Sequence, residues 1–315
     1  MRRIFVSSAV VIIALIVIIV TIFVGRSRAV APSRLNTKDL PRHSLRLIGP
    51  THPEFQQIRD SLHRPKGQLF AERFQQPYVF LKNTGTKRVV AYSLKWELLR
   101  DDGRVITKVN SYSRLNVLKG KEASDTENAV ILKPKGSRVF SPYPYGDGQP
   151  VGSDSAASQG PTDDQLLQQL DQSSVVTQAR DELSRITSIT VSIDGAFFDD
   201  GTFVGPNDTK YFEQVRGQLD AKHDLLQAII KRLREGMKPN EIMTYLEQSS
   251  VSLHAPEEPP LLDPKPAHIY NYYRKMYQDQ ILEMRKGANG DDELTLRRVF
   301  ALDEPKRFLK LKKLD

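Results

Sequence analysis

Residues 78–109 read YVFLKNTGTKRVVAYSLKWELLRDDGRVITKV, and this stretch decides the fold. Tyr78-Val79-Phe80-Leu81 is a short apolar strand. Asn83-Thr84-Gly85-Thr86 follows as a turn, because Asn and Gly tolerate positive φ. A long alternating strand comes next. Val90, Tyr92, Leu94, Trp96 and Leu98 fall on one face, and Ser93, Lys95 and Glu97 on the other, as a period of two requires. Asp101-Asp102-Gly103 is a hairpin signal, and Val105–Val109 returns antiparallel. Trp96 is the chain's one tryptophan. Its place mid-strand on the apolar face marks it as a core anchor rather than a ligand contact.

The pattern continues outward. Arg114–Leu118, Ala129–Leu132 and Ser137–Ser141 read as further strands, the last two joined by a turn at Lys133-Pro134-Lys135-Gly136. Residues 142–161 hold Pro142, Pro144, Gly146, Gly148, Pro150, Gly152, Gly160 and Pro161 among serines and glutamines, the composition of a loop. A helix capped at Thr162-Asp163-Asp164 runs to about Arg185. Ile189, Val191 and Ile193 restore strand alternation, and Asp200-Gly201 between aromatic flanks reads as a tight hairpin. Short strands separated by regular turn signals predict an antiparallel sandwich.

Two stretches carry a resemblance. Asp194-Gly195-Ala196-Phe197-Phe198-Asp199-Asp200-Gly201-Thr202-Phe203-Val204-Gly205-Pro206, and the earlier Phe80-Leu81-Lys82-Asn83 to Ala91-Tyr92-Ser93-Leu94-Lys95-Trp96 region, resemble uncharacterised bacterial exported or membrane-anchored proteins. The resemblance implies a bacterial origin and an immunoglobulin-like sandwich. It carries no activity and transfers no site residue.

After Pro206 the chain reads as helical. Asn207-Asp208 cap a helix over 209–235, in which Phe212, Val215, Leu219, Leu226, Ile229 and Leu233 recur at spacings of three and four. The spacing suits a coiled-coil seam or intrachain packing; the run is short and broken at Lys222, which favours the latter. Asn207-Asp208-Thr209 also matches a glycosylation sequon, but capping suffices to explain it. Pro239 opens a second helix. Pro256, Pro259, Pro260, Pro264 and Pro266 make an extended connector. A third helix over 267–286 carries a stripe of Tyr270, Tyr273, Tyr277, Ile281 and Met284, and a fourth runs over 291–301.

The N-terminus sets the expected location. Residues 4–25, IFVSSAVVIIALIVIIVTIFVG, contain no charge. As a helix they would span roughly 33 Å, enough for a hydrocarbon core of about 30 Å. The run exceeds a signal-peptide core, and Pro32 follows the Ala29-Val30-Ala31 pattern, so an uncleaved signal anchor is expected. Basic residues flank both ends, and a long domain translocates largely regardless of such charge.

The expected organisation is therefore α+β: a transmembrane helix over 1–25, a polar stalk over 26–44, an immunoglobulin-like antiparallel β-sandwich over 45–205 with a loop and helix inserted at about 142–186, and a helical region over 206–315. The protein is expected at the cell membrane, single-pass, with its soluble part exported.

Chemistry is harder to find. The chain has no cysteine, which excludes disulfides and thiolate chemistry. Histidines 43, 52, 63, 223, 254 and 268 show no metal-ligand spacing. No nucleophile elbow, phosphate loop or dinucleotide fingerprint occurs. Asp101-Asp102, Asp163-Asp164 and Asp199-Asp200 sit at turns or caps, where carboxylates bond locally. Asp194, Asp199 and Asp200 lack the calcium-loop spacing. The net charge of +8 is spread rather than clustered, and no nucleic-acid-binding motif is present. The dense basic run is Lys306, Arg307, Lys310, Lys312 and Lys313, interleaved with apolar residues, which suits weak contact with anionic lipid or a solvated tail. No catalytic, cofactor-binding or metal residue is assigned, and no cofactor is expected. The function expected is a non-catalytic binding or scaffolding module at the membrane surface with a protein partner. Alternatives are an enzyme of unrecognised type and an oligomeric envelope component.

Overall fold

The computed structural model describes residues 34–61, 77–113, 131–143, 174–252, 265–302 and 311–314. Two sheets face each other. The larger contains β4 (Val89–Arg100), flanked by β5 (Val105–Ser113) and by β7 (Ile186–Phe198). The far side of β7 is shared along its length by β1 (Arg34–Lys38) and β8 (Thr202–Val204), and β9 (Lys312–Lys313) pairs with β8. The smaller sheet has the order β2 (Leu45–Ile48), β3 (Val79–Asn83), β6 (Ser137–Phe140).

Alternation assigns the layers. Leu47 and Leu81 of the smaller sheet meet Leu94, Trp96, Leu98, Val191 and Ile193 of the larger in one core. Ile48 and Phe80 point the other way, onto Phe55 and Ile58 of α1 (Phe55–Ser61). The outer face of the larger sheet offers Val90, Ala91, Phe197 and Phe203 to Tyr211 and Val215 of α3 (Tyr211–Arg234). Between them in sequence lies α2 (Ser174–Ser184), the described part of the helix expected within the insertion.

The helical region is built from α3, α4 (Pro239–Ser252), α5 (Pro266–Gly287) and α6 (Asp292–Leu302). The second half of α3 supplies Ala221, Leu225, Leu226 and Ile229 to a core with Ile242, Met243, Leu246, Tyr277, Ile281, Leu296 and Val299. The seam of α3 therefore packs within the chain. Tyr277 is buried there and Tyr270 and Tyr273 lie against it, so the tyrosine stripe is core. Gly217 allows the close crossing of α3 and α5: a Cβ there would lie 2.8 Å from Ile269.

Several expectations are corrected. The immunoglobulin-like, wholly antiparallel sandwich is overturned, because β1 pairs parallel with β7 and β9 pairs parallel with β8, making the larger sheet mixed. Hairpin signals report only strands adjacent in sequence; β1 and β7 are some 150 residues apart, and β1 is the polar run RLNTK, which has no apolar alternation to reveal it. It lies in the stretch read as a stalk. The transmembrane helix expected over residues 1–25 lies outside the described residues, and no helix among them is long and apolar enough to cross a membrane. The fold that stands is α+β with mixed sheets. The strand expected at Arg114–Leu118 lies outside the described residues, and Leu132 makes an isolated bridge with Val89.

Val90 is a correction of a finer kind. It was expected on the Trp96 face, yet it packs on the opposite face with Ala91. A register irregularity between Val89 and Ala91 displaces it, and a bulge of this kind turns two successive side chains to the same side.

Candidate functional site

The segment 194–206 and the start of α3 after it form one hydrogen-bonded junction. β7 pairs with β4 through Ile193↔Leu94 and Gly195↔Ser93, so Asp194 is left over as the bulged residue. The bulge turns its carboxylate towards the start of α3. There it accepts hydrogen bonds from Asp208 N at 2.7 Å and from the Thr209 amide and hydroxyl. Its main-chain oxygen accepts from Asn207 N at 2.9 Å. Asn207 accepts in turn from Phe212 N at 2.8 Å and donates to Glu213 at 2.7 Å. Burial raises the Asp194 carboxyl above the ordinary aspartate range, and the Thr209 bonds pull against that rise.

The remaining residues of the segment also have structural tasks. A Cβ at Gly195 would lie 2.5 Å from the Phe203 ring, and one at Gly205, where φ is +123°, would lie 2.6 Å from the Asp194 carbonyl. Phe197, Phe203 and Phe212 form an aromatic cluster with centroids 4.8–5.7 Å apart. Asp200 caps the β7–β8 turn, accepting from Thr202 N at 3.0 Å and from Lys87 at 2.6 Å. The Lys87 bond chiefly holds its carboxyl down at about 2. Asp194 and Asp200 are each spent on separate partners, and the segment is a junction rather than a calcium loop. Glycosylation at Asn207 would cost its bond to Glu213 and disturb the start of α3.

The other acid pair within the described residues lies at the β4–β5 turn. Asp102 accepts from Arg104 N at 3.0 Å, which chiefly lowers its carboxyl below the usual range. Asp163-Asp164 lie outside the described residues. Among the described residues no group of three or more His, Asp or Glu side chains is placed to hold a metal. His52 accepts from Glu54 N at 3.1 Å and faces Arg46 at 3.0 Å, tying together the entrance to α1.

Two depressions are lined by described residues. One, of about 630 Å³, is lined by Glu247, Asp279, Leu282, Glu283, Arg285, Lys286 and Gly290 on the helical region. Its charges neutralise one another: Arg285 with Glu247 at 2.5 Å and Asp292 at 2.6 Å, Lys275 with Asp279 at 2.8 Å, and Lys286 with Glu283 at 2.6 Å. The Arg285 pairs tie α5 to α4 and α6, while the two lysine pairs lie within α5.

The other, of about 410 Å³, lies where the end of the β4–β5 hairpin meets α2, lined by Arg100, Ile106, Gln178, Asp181, Glu182 and Arg185. Its charges are mixed. Lys108 bonds Glu182 at 3.2 Å, Arg185 lies 3.5 Å from Asp101, and Arg100 lies 3.6 Å from Asp102. The Arg100 Nε, however, is buried without a hydrogen-bond partner in the chain. At the end of the same hairpin two apolar side chains are exposed, Val105 at 57% and Leu99 at 38%, directly opposite each other across β4 and β5. β5 is also the outermost strand of its sheet among the described residues. Arg100 and Gln178 are far apart in sequence, so no local motif could have announced the groove. Val105 was the available signal, an apolar residue two places after Asp102-Gly103.

The chain matches no family model, no curated protein and no solved structure.

Proposed function

We propose that this chain is a non-catalytic binding module that engages a protein partner at the membrane surface through the end of the β4–β5 hairpin. One observation carries the reading. Val105 and Leu99 are exposed opposite each other at the hairpin end, and the next residue, Arg100, which lines the groove against α2, has a buried Nε without a partner among the described residues. Exposed edge strands offer unpaired backbone donors and acceptors to another chain. Arginine is among the residues enriched at protein interfaces, and exposed apolar side chains gain from the burial an interface provides. The uncharged run at residues 4–25 supports a place at the cell membrane, with the folded part exported. Lys312 and Lys313 are exposed, which supports a weak added contact with anionic lipid.

The test is photo-crosslinking of the full chain in its own membranes, with the reactive residue placed at Val105 and, as a control, at Lys231 on α3. A discrete adduct from position 105 and none from 231, lost on Arg100→Glu, is the expected result. Identical adduct patterns from the two positions would overturn the proposal.

A further inference from the structure

The basic run near the end of the sequence does something that its composition does not suggest. Lys312 N donates to Gly201 O at 3.1 Å and Leu314 N donates to Phe203 O at 3.0 Å, so residues 312–314 add a strand to the outer edge of β8. Leu311 tucks against the aromatic cluster of Phe197, Phe203 and Phe212 that covers the outer face of the sheet. Lys312 and Lys313 are both exposed, and Leu314 is 37% exposed.

From this geometry we infer that the β8 edge is a strand-addition site, and that its occupant is exchangeable between copies of the chain, residues 311–314 of one copy docking on β8 of a second. Three observations carry it. The site accepts an extended segment through main-chain bonds in parallel register, Thr202 opposite Lys312 and Phe203 opposite Lys313. The recognition is an apolar anchor, Leu311, followed by two residues whose side chains face solvent. The one sequence the edge is seen to hold is its own, and every copy carries it. An edge closed by so short a strand is open to the same pairing in trans, which is the physical basis of domain swapping. Reciprocal exchange between two copies satisfies both edges and closes the assembly. The inference concerns a surface separate from the β4–β5 hairpin and does not depend on what binds there.

The absence of cysteine makes a direct test available. Two single-cysteine variants of the full chain, Thr202→Cys and Lys312→Cys, are prepared separately in detergent micelles, mixed at rising concentration and mildly oxidised. These positions face each other across neighbouring strands, whose roughly 4.8 Å spacing lies within disulfide reach. Exchange predicts a covalent 202–312 heterodimer whose yield rises with concentration and falls at least fivefold when Leu314→Pro removes one donor. The double variant Thr202→Cys, Lys312→Cys in one chain serves as reference. Crosslinking within that chain but none on mixing would overturn exchange, and crosslinking in neither would overturn the site itself.

Discussion

Replacing Trp96 tests the core most directly. The side chain is buried mid-strand on β4, packed among the apolar residues of both sheets. Its indole N–H donates to the Asn110 side-chain oxygen at 2.6 Å, and Asn110 is itself buried on the neighbouring β5. Trp96→Ala thus removes two things. Loss of a buried aromatic from a core costs about 3–5 kcal/mol. Leaving the Asn110 oxygen without its donor adds about 1–3 kcal/mol. The terms overlap as the site relaxes, so the expected loss is about 4–6 kcal/mol, comparable to the whole stability of many domains. Trp96→Phe keeps most of the ring volume and loses the donor, and should cost about half as much. Urea unfolding of residues 31–315, followed by far-UV circular dichroism, measures both, since the substitution abolishes tryptophan fluorescence. Asn110→Leu closes a double-mutant cycle: with Trp96→Phe in place, removing the orphaned oxygen should be less costly than in the parent. A loss below about 1 kcal/mol for Trp96→Ala would refute the claim that this residue anchors the contact between the two sheets.

The other predictions concern the junction after β7. Asp194→Ala should cost about 2–3 kcal/mol, by orphaning the Asp208 and Thr209 donors, and reduced amide protection at the start of α3 would register it. Burial holds the Asp194 carboxyl above its ordinary value, so its favourable contribution is full below the unfolded value of about 3.9 and is lost as pH rises through the folded value. Asp194→Asn should therefore flatten the pH dependence of unfolding free energy in that window, and a variant with the parental slope would refute the assignment. Gly195→Ala should lose about 1–3 kcal/mol, because the new methyl meets the Phe203 ring; a thermal melt unchanged from the parent would contradict the close approach. The sign reverses for Asp200, whose carboxyl sits down at about 2. Its contribution is present above the ordinary aspartate value and disappears as pH falls towards 2. Lys87→Ala should move its titration, followed by NMR, back towards the ordinary value, at a stability cost of no more than about 1 kcal/mol for so exposed a pair.

Much of the fold is legible because β4 announces itself. Tyr92, Leu94, Trp96 and Leu98 alternate as a half-buried strand must, and Asp101-Asp102-Gly103 turns the chain where the pattern ends. The four later helices fall within a few residues of their expected bounds, since Gly236, Pro239 and Gly287 punctuate them and the apolar spacing is regular. What escaped reading has a common cause. β1 and β9 are polar strands whose apolar alternation is absent and whose partners are remote in sequence; only tertiary hydrogen bonding makes them strands. Val90 and Asp194 sit at bulges, and a bulge inverts the inside–outside order that a period of two predicts. The lysines at 312 and 313 looked like a solvated tail for the same reason: their side chains do face water, while their backbone closes a sheet edge.

The stretch from Asp194 to Pro206 then acquires a physical meaning. Asp194 bulges out of β7 and holds the chain entering α3, while Gly195 and Gly205 admit Phe203 and the Asp194 carbonyl at distances no side chain would permit. α3 packs its first half on the sheet and its second half in the helical core, so the angle at which it leaves the larger sheet after β8 sets how the two cores are joined. The contacts of Asp194, Gly195 and Gly205 serve this junction whatever the protein binds. Function has to be sought among side chains that the fold leaves unemployed. At the β4–β5 hairpin these are Val105, Leu99 and the Nε of Arg100, two exposed to water and one buried without a partner. If the proposed partner covers the hairpin end, Val105 and Leu99 lose their exposure to water, which favours the complex.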